Sequence, residues 1–337
     1  MNIVNLSDFD PDWCWLKSEF NAHNWRHITS KKVQIPQFIP KQLAIKRFIA
    51  ARQAAIAAQT PASILVAHGP MPTAFGAKQA KKHCPETPFL AYAFNFTDLP
   101  KDGVRRLIAK HYQHPSKLVT FSNAERKLYA DYFDIPIEKI DMLHWAVHAP
   151  KIDLTSTDLT SAPIETGDYI CALGSQARDY ATLFAAMHAL PHIKLVVVAS
   201  KESIQHLAIP TNVIVHTNIP LVDAQNILAH SQFTVLPLRD SRVPCGHVTI
   251  VSAMFFQKAI IVTNSAGVHD YIEGGKTGVF TAPQDAQDLA RKIAELWEDK
   301  AKTTSLSQAG FAFANAHCTE KTVVNYFEDF LKDYVNV

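Results

Sequence analysis

Residues 236–278 read LPLRDSRVPCGHVTIVSAMFFQKAIIVTNSAGVHDYIEGGKTG. The apolar run 233–236 that feeds this stretch predicts a strand, and 259–263 predicts another. Between them lies a helix over 249–256, opened by Gly246-His247-Val248-Thr249. The first amides of a helix have no intrahelical acceptor, and the helix dipole adds positive character there. A glycine just before them lets the backbone approach a bulky anion. Arg239 and Arg242 stand just upstream and add positive charge. The plainer alternative is an ordinary strand-to-helix turn with a threonine cap and solvated arginines.

Outward from this stretch the same alternation continues. Strands are expected at 169–173, 193–199 and 213–215, with helices over 180–190 and 222–230 and, later, near 286–297 and 321–335. Strands separated by helices of this length imply a parallel, doubly wound sheet, which binds ligands beyond the carboxyl ends of its strands. Residues 151–166 are rich in Ser, Thr and Asp without apolar period and read as a linker. The first half alternates too, with strands expected at 64–67, 88–94 and 117–121. Ser122-Asn-Ala-Glu125 is a capping box that launches a helix to Phe133. Residues 40–58 form a long basic helix, with Leu43, Phe48, Ile49 and Ile56 among alanines. Its apolar positions suit core packing, and its basic face suits docking on a membrane.

Length and composition fit this reading. A chain of 337 residues with 47% hydrophobic and 19% charged residues suits two globular domains. The apolar runs are too short to span a bilayer, and residues 1–10 lack a basic-then-apolar leader, so a cytoplasmic protein is expected. Cys14, Cys84, Cys171, Cys245 and Cys318 are scattered and odd in number, which fits reduced thiols. Residues 1–150 hold 19 Lys/Arg against 12 Asp/Glu, leaving 14 against 19 in 151–337. The basic half is expected to meet something anionic, such as lipid head groups or a lipid-linked phosphate, or else it is a solvated surface. Nucleic acid is not the expected partner, because the basic surplus lacks regularly interleaved aromatics. No Gly-x-Gly-x-x-Gly or phosphate loop follows any strand, which argues against nicotinamide enzymes and NTPases. His23/His27 and His111/His114 have metal-like spacing but lack an acidic third ligand, so no metal is expected.

Several motifs resemble the donor-binding core of glycosyltransferase family 4 (group 1) enzymes of the GT-B fold. They are Ser252-Ala253-Met254, Gln257-Lys258-Ala259-Ile260-Ile261, Gly267-Val-His-Asp270-Tyr271 and Gly275-Lys-Thr-Gly278. Leu173-Gly174-Ser-Gln-Ala-Arg178-Asp179-Tyr180 is similar to the first strand-to-helix turn of the same domain. The resemblance covers 167–315 well, 89–142 loosely and the start of the chain poorly. One departure stands out. The family carries two glutamates eight positions apart, and Pro244 and Ser252 occupy those places.

The resemblance implies an α/β protein with two Rossmann-like domains facing across a cleft. Residues 1–150 would be the acceptor side, 151–166 the linker, 167–318 the donor domain, and 319–337 a helix returning to the first domain. The implied activity is a retaining transfer of a sugar from a UDP- or GDP-sugar to a hydroxyl of a glycan or lipid-linked acceptor, without a metal cofactor. Gly174, Arg178, Gly246, His247, Val248 and Thr249 would hold the diphosphate, with Arg178 and His247 acting in catalysis. Ser252, His216, Thr217 and Ile219 would meet the ribose and base, and Arg242 and Cys245 the sugar. His68, which ends a strand at Gly69-Pro70, and Asn95 would face the acceptor, with His68 as base or simply a hydrogen-bonded turn histidine. Two other readings share this donor site: a sugar-nucleotide epimerase, and a non-catalytic nucleotide-sugar-binding subunit.

Overall fold

A computed structural model describes residues 1–10, 12, 15–146, 163–239 and 242–335. Cys14 and residues 151–162 of the expected linker lie outside the described residues. The chain forms two compact units, Met1–Leu143 with Val323–Val337, and His144–Thr322.

The first unit holds a parallel sheet of β1 (Asn2–Ser7), β2 (Asn24–Thr29), β3 (Ser63–His68), β4 (Phe89–Tyr92), β5 (Lys117–Thr120) and β6 (Ile140–Met142). Its order is β2-β1-β3-β4-β5-β6. Four helices join successive strands from β2 onward: α1 (Gln42–Ala57), α2 (Pro70–His83), α3 (Asp102–Ala109) and α4 (Asn123–Phe133). All four crossovers run in one direction across the sheet, so right-handedness places α1 to α4 in a single layer.

The core face of α1 corrects the sequence expectation. Ala50, Ala51, Ala54 and Ala55 are fully buried and pack with Val4, Leu6, Leu65 and Ala67. Leu43, Phe48 and Ile56 point outward, 51%, 39% and 41% exposed. Close approach of α1 to its neighbours leaves room on that face only for methyl groups. The next helix, α2, follows the same logic. A Cβ on its Gly76 would lie 3.1 Å from Leu6 Cδ2 and 3.2 Å from Phe89 Cζ.

The capping box forms at the start of α4. Ser122 Oγ accepts from the Glu125 amide at 3.1 Å, and Glu125 Oε2 accepts from the Phe121 amide at 3.1 Å. Glu125 is fully buried, and burial pushes its carboxyl up to about 7 against the hydrogen bonds from Ser122, Phe121 and Tyr129.

The second unit contains β7 (Ile170–Leu173), β8 (Leu195–Ala199), β9 (Val213–Thr217), β10 (Thr234–Leu236), β11 (Ile260–Thr263) and β12 (Val279–Thr281). Around them are α5 (Tyr180–His188), α6 (Lys201–Ile204), α7 (Leu221–His230), α8 (His247–Phe255), α9 (Ala286–Glu298) and α10 (Lys300–His317). The sheet is parallel, in the order β12-β11-β10-β7-β8-β9. Strand order therefore reverses between β7 and β10. A crevice opens beyond the carboxyl ends of the strands at such a reversal, where doubly wound sheets bind ligands.

The last helix, α11 (Glu320–Val335), runs from the second unit into the first. Its buried Phe327 meets Trp15 and Phe20 at ring-centroid distances of 5.0 and 5.1 Å, and Tyr326 donates its hydroxyl to Asp141 at 2.9 Å.

Candidate functional site

Two loops meet at the strand reversal of the second unit. β7 ends at Gly174, whose φ of +100° suits glycine and whose amide donates to the Val198 carbonyl at 2.9 Å. The chain then turns back beside β10: Asp179 N donates to Pro237 O at 3.0 Å and Arg239 N to Ala177 O at 2.9 Å. The loop that leads to α8 is thereby tied to the loop that leads to α5.

Arg178 lies between them and is only 8% exposed. Its Nε donates to Leu173 O at 3.0 Å and Nη1 to Gln176 O at 2.8 Å. Nη1 also approaches Cys245 Sγ at 3.8 Å, and Nη2 donates to Thr249 Oγ1 at 2.8 Å. No carboxylate pairs with it among the described residues. A buried guanidinium held by neutral acceptors alone keeps an uncompensated charge, which favours an anion beside it.

Gly174 makes this placement possible. A Cβ there would lie 2.6 Å from Nη2 and 3.1 Å from Cζ of Arg178. Gly246 plays a matching part at α8. It caps the helix with φ +101°, and a Cβ would stand 2.9 Å from Leu236 Cδ2. No side chain caps α8, and the first intrahelical bond runs from Ile250 N to Gly246 O at 2.9 Å. The amides of His247, Val248 and Thr249 thus have no acceptor among the described residues. The Arg178 charge and this helix start converge through the Arg178–Thr249 hydrogen bond. Such a cluster is chemically suited to an anion with more than one negative oxygen.

His247 is 6% exposed and stacks on Tyr271, with ring centroids 5.0 Å apart and planes at 26°. Burial pushes its imidazole down to about 4, against the pull of Asp270 and a hydrogen bond to the Gly267 backbone. Near neutral pH the ring is uncharged, so the positive charge of the cluster belongs to Arg178 and the helix start.

Tyr271, fully buried, also holds the start of this unit. Its hydroxyl accepts from Trp145 N at 2.8 Å, and its ring meets His144 edge-on at 5.1 Å. His144 Nε2 lies 2.8 Å from Asp270 O. In the sequence Tyr271 stands only as one letter of a motif. Its only signal there is membership of the Gly267-Val-His-Asp270-Tyr271 motif.

The other expected site residues of this unit lie at the carboxyl end of β9 and on or just before α8. His216 Nε2 lies 2.9 Å from Glu165 Oε1, and the other oxygen of Glu165 takes Lys194 at 2.7 Å. Thr217 is exposed, and the half-buried Ile219 packs against the core. Ser252 sits half-buried in the second turn of α8, and Arg242 is exposed just before that helix.

In the first unit Asn95 is exposed beyond β4. His68 is buried at 3% exposure under Trp15 and Tyr92, at centroid distances of 4.9 and 5.6 Å. Burial, with a smaller contribution from His27, pushes it down to about 3. An imidazole so held is a weak proton acceptor, which corrects the expectation of a base facing open space. His27 Nδ1 lies 3.1 Å from Asn5 Nδ2, and no group of three metal-binding side chains occurs among the described residues.

Residues 169–299, which contain Arg178 and the start of α8, match the family described as glycosyl transferases group 1. They are a group 1 glycosyltransferase domain. No curated protein matches the sequence. Solved structures match the whole chain of this glycosyltransferase at low identity. A glycosyltransferase from Rickettsia africae ESF-5 is 16% identical, with 98% of each chain covered and a TM-score of 0.72. Anabaena HepE, solved with UDP-glucose, is 15% identical over 99% of this chain and 100% of that one, with a TM-score of 0.74. Sucrose-phosphate synthase from Thermosynechococcus elongatus is 13% identical over 100% of this chain and 89% of that one, at a TM-score of 0.73. These likenesses establish the GT-B fold.

Proposed function

We propose that the glycosyltransferase binds the diphosphate of a nucleotide-sugar at the start of α8 and transfers the sugar to a hydroxyl of a glycan or lipid-linked acceptor. The observation that carries this reading is the buried Arg178 guanidinium beside three uncapped amides, with no carboxylate paired to it among the described residues. Fixed donors aimed at a departing diphosphate stabilise the charge that develops as the glycosidic bond breaks. The charge is already in place before reaction, so little reorganisation is needed at that moment. UDP is the nucleotide favoured here, because HepE was solved with UDP and with UDP-glucose at the same fold. Retention of configuration accords with a leaving phosphate that itself takes the acceptor's proton, since His68 and His247 are both poor bases.

The test is a thermal-shift screen with UDP, GDP, ADP and CMP, followed by incubation with the matching nucleotide-sugars. A ligand at 100 times its dissociation constant stabilises the folded state by about 2.7 kcal/mol. One nucleoside diphosphate should raise the melting temperature clearly above the rest. If none shifts it at millimolar concentration, the proposal fails.

A further inference from the structure

We propose that the outer face of the α1–α3 layer is a docking surface for an anionic lipid bilayer. Between residues 30 and 110 the sequence holds 13 Lys/Arg but three acids, Glu86, Asp98 and Asp102; Lys31, Arg47 and Arg105 pair with Asp10, Asp8 and Asp102, which leaves most of these cations outside any ion pair among the described residues. The structure explains why this charge is not simply solvated surface. The same helices expose large apolar side chains: Leu43, Phe48 and Ile56 on α1, and Val104 and Leu107 on α3, at 46% and 64% exposure for the last two. Phe38, just before α1, is 86% exposed. Water gains nothing from these groups, and the helices have buried their alanines instead.

Interleaving fits the two layers of a bilayer surface. Lys78 Nζ lies 5.9 Å above the Phe48 ring, so a cation and an aromatic share one spot across α1 and α2. Beside α3 a surface groove of about 710 Å³ is lined by Arg105, Arg106 and Lys110, with Tyr132 and Asp134 opposite. Cations at head-group depth, flanked by side chains that enter the acyl boundary, bind anionic lipid more strongly than either feature alone. A nucleic acid would use the cations but leave Val104, Leu107 and Ile56 unsatisfied, since aliphatic groups do not stack on bases. No helix among the described residues is long and apolar enough to cross a membrane, so the contact would be peripheral.

The experiment is flotation of the full chain with vesicles of phosphatidylcholine alone or with about one third phosphatidylglycerol, at ~0.1 M salt. Two double variants accompany it: Val104→Ser with Leu107→Ser, and Arg106→Glu with Lys110→Glu. All four side chains are exposed, so melting temperature and the response to UDP should stay at wild-type values. Wild type should float with the anionic vesicles only, and each variant should lose at least about tenfold of that partition. Three results overturn the proposal: no flotation of wild type, equal flotation on neutral vesicles, or wild-type flotation of both variants. Tight binding to duplex DNA that survives the Val104/Leu107 change, with weak vesicle binding, would assign the face to nucleic acid instead. None of these outcomes bears on nucleotide binding by the second unit, which the UDP response reports separately.

Discussion

Gly174→Ala probes the proposed anion site at its tightest point. The new methyl would lie 2.6 Å from Arg178 Nη2, 3.1 Å from Cζ and 3.3 Å from Nε, closer than carbon and nitrogen tolerate. It would also force an L-residue to φ +100°. The backbone strain costs about 1–2 kcal/mol, and overpacking adds about 1–3 kcal/mol. The folded state should therefore lose roughly 2–5 kcal/mol, of which the overpacking part alone is relieved if Arg178 swings out of its pocket. That relief breaks the hydrogen bonds to Leu173 O and Thr249 Oγ1, and charge-assisted contacts of this kind contribute about 1.5–3 kcal/mol each. UDP should then bind about 10- to 150-fold more weakly. The assays are urea unfolding and calorimetric titration of UDP.

Gly167→Ala is the control. Gly167 has φ +77° but no atom within 4 Å of a built Cβ, so it carries the backbone cost without the clash. It should lose about 1 kcal/mol and keep UDP affinity. If folded Gly174→Ala binds UDP as tightly as wild type, Arg178 does not act from this pocket.

Thr249→Val keeps the shape of the first turn of α8 but removes the acceptor 2.8 Å from Arg178 Nη2; UDP affinity should fall several-fold in titration, with under about 1.5 kcal/mol lost from stability. Tyr271→Phe removes the hydroxyl that accepts from Trp145 N at 2.8 Å, so the urea midpoint should drop by about 1–2 kcal/mol equivalent while stacking on His247 persists. Glu125 gives a pH signature. Its folded value of about 7 lies above that of an unfolded carboxyl, so its protonated form favours folding below the unfolded value and that contribution fades as pH rises to 7. The wild type should lose on the order of 3 kcal/mol from this group across the window, whereas Glu125→Gln should not lose it; urea midpoints at both ends decide.

Much of the second unit was legible in the sequence because its strands are short, apolar and regularly spaced by amphipathic helices. The Gly246 turn was legible for a related reason, whereas Gly174 and Arg178 were reached only through the family resemblance. A glycine at a strand end, where the chain must turn sharply into a helix, marks a place where backbone and ligand can come close. The first unit hid more. Strand β2, NWRHIT, is an edge strand with one neighbour, so its outward positions are polar and it shows no apolar run. Strand β1 buries Asn5, which pairs with His27, and this breaks the pattern of a central strand. Helices α2 and α10 carry little apolar signal because their buried faces are largely alanine, glycine and threonine rather than large apolar residues. The same economy of size inverts the reading of α1, whose larger side chains suit a core and lie outside. His216 could not have been placed from sequence, since its partner Glu165 is 51 residues away.

Calorimetric titration of the full chain with UDP, UMP and uridine, in wild type and in Arg178→Gln, tests most directly whether the second unit grips a pyrophosphate rather than a nucleoside. Affinity should rise with each phosphate in wild type, and that gain should collapse in the variant. Uridine binding as tightly as UDP, or Arg178→Gln keeping the full phosphate gain, would contradict a diphosphate site built on Arg178.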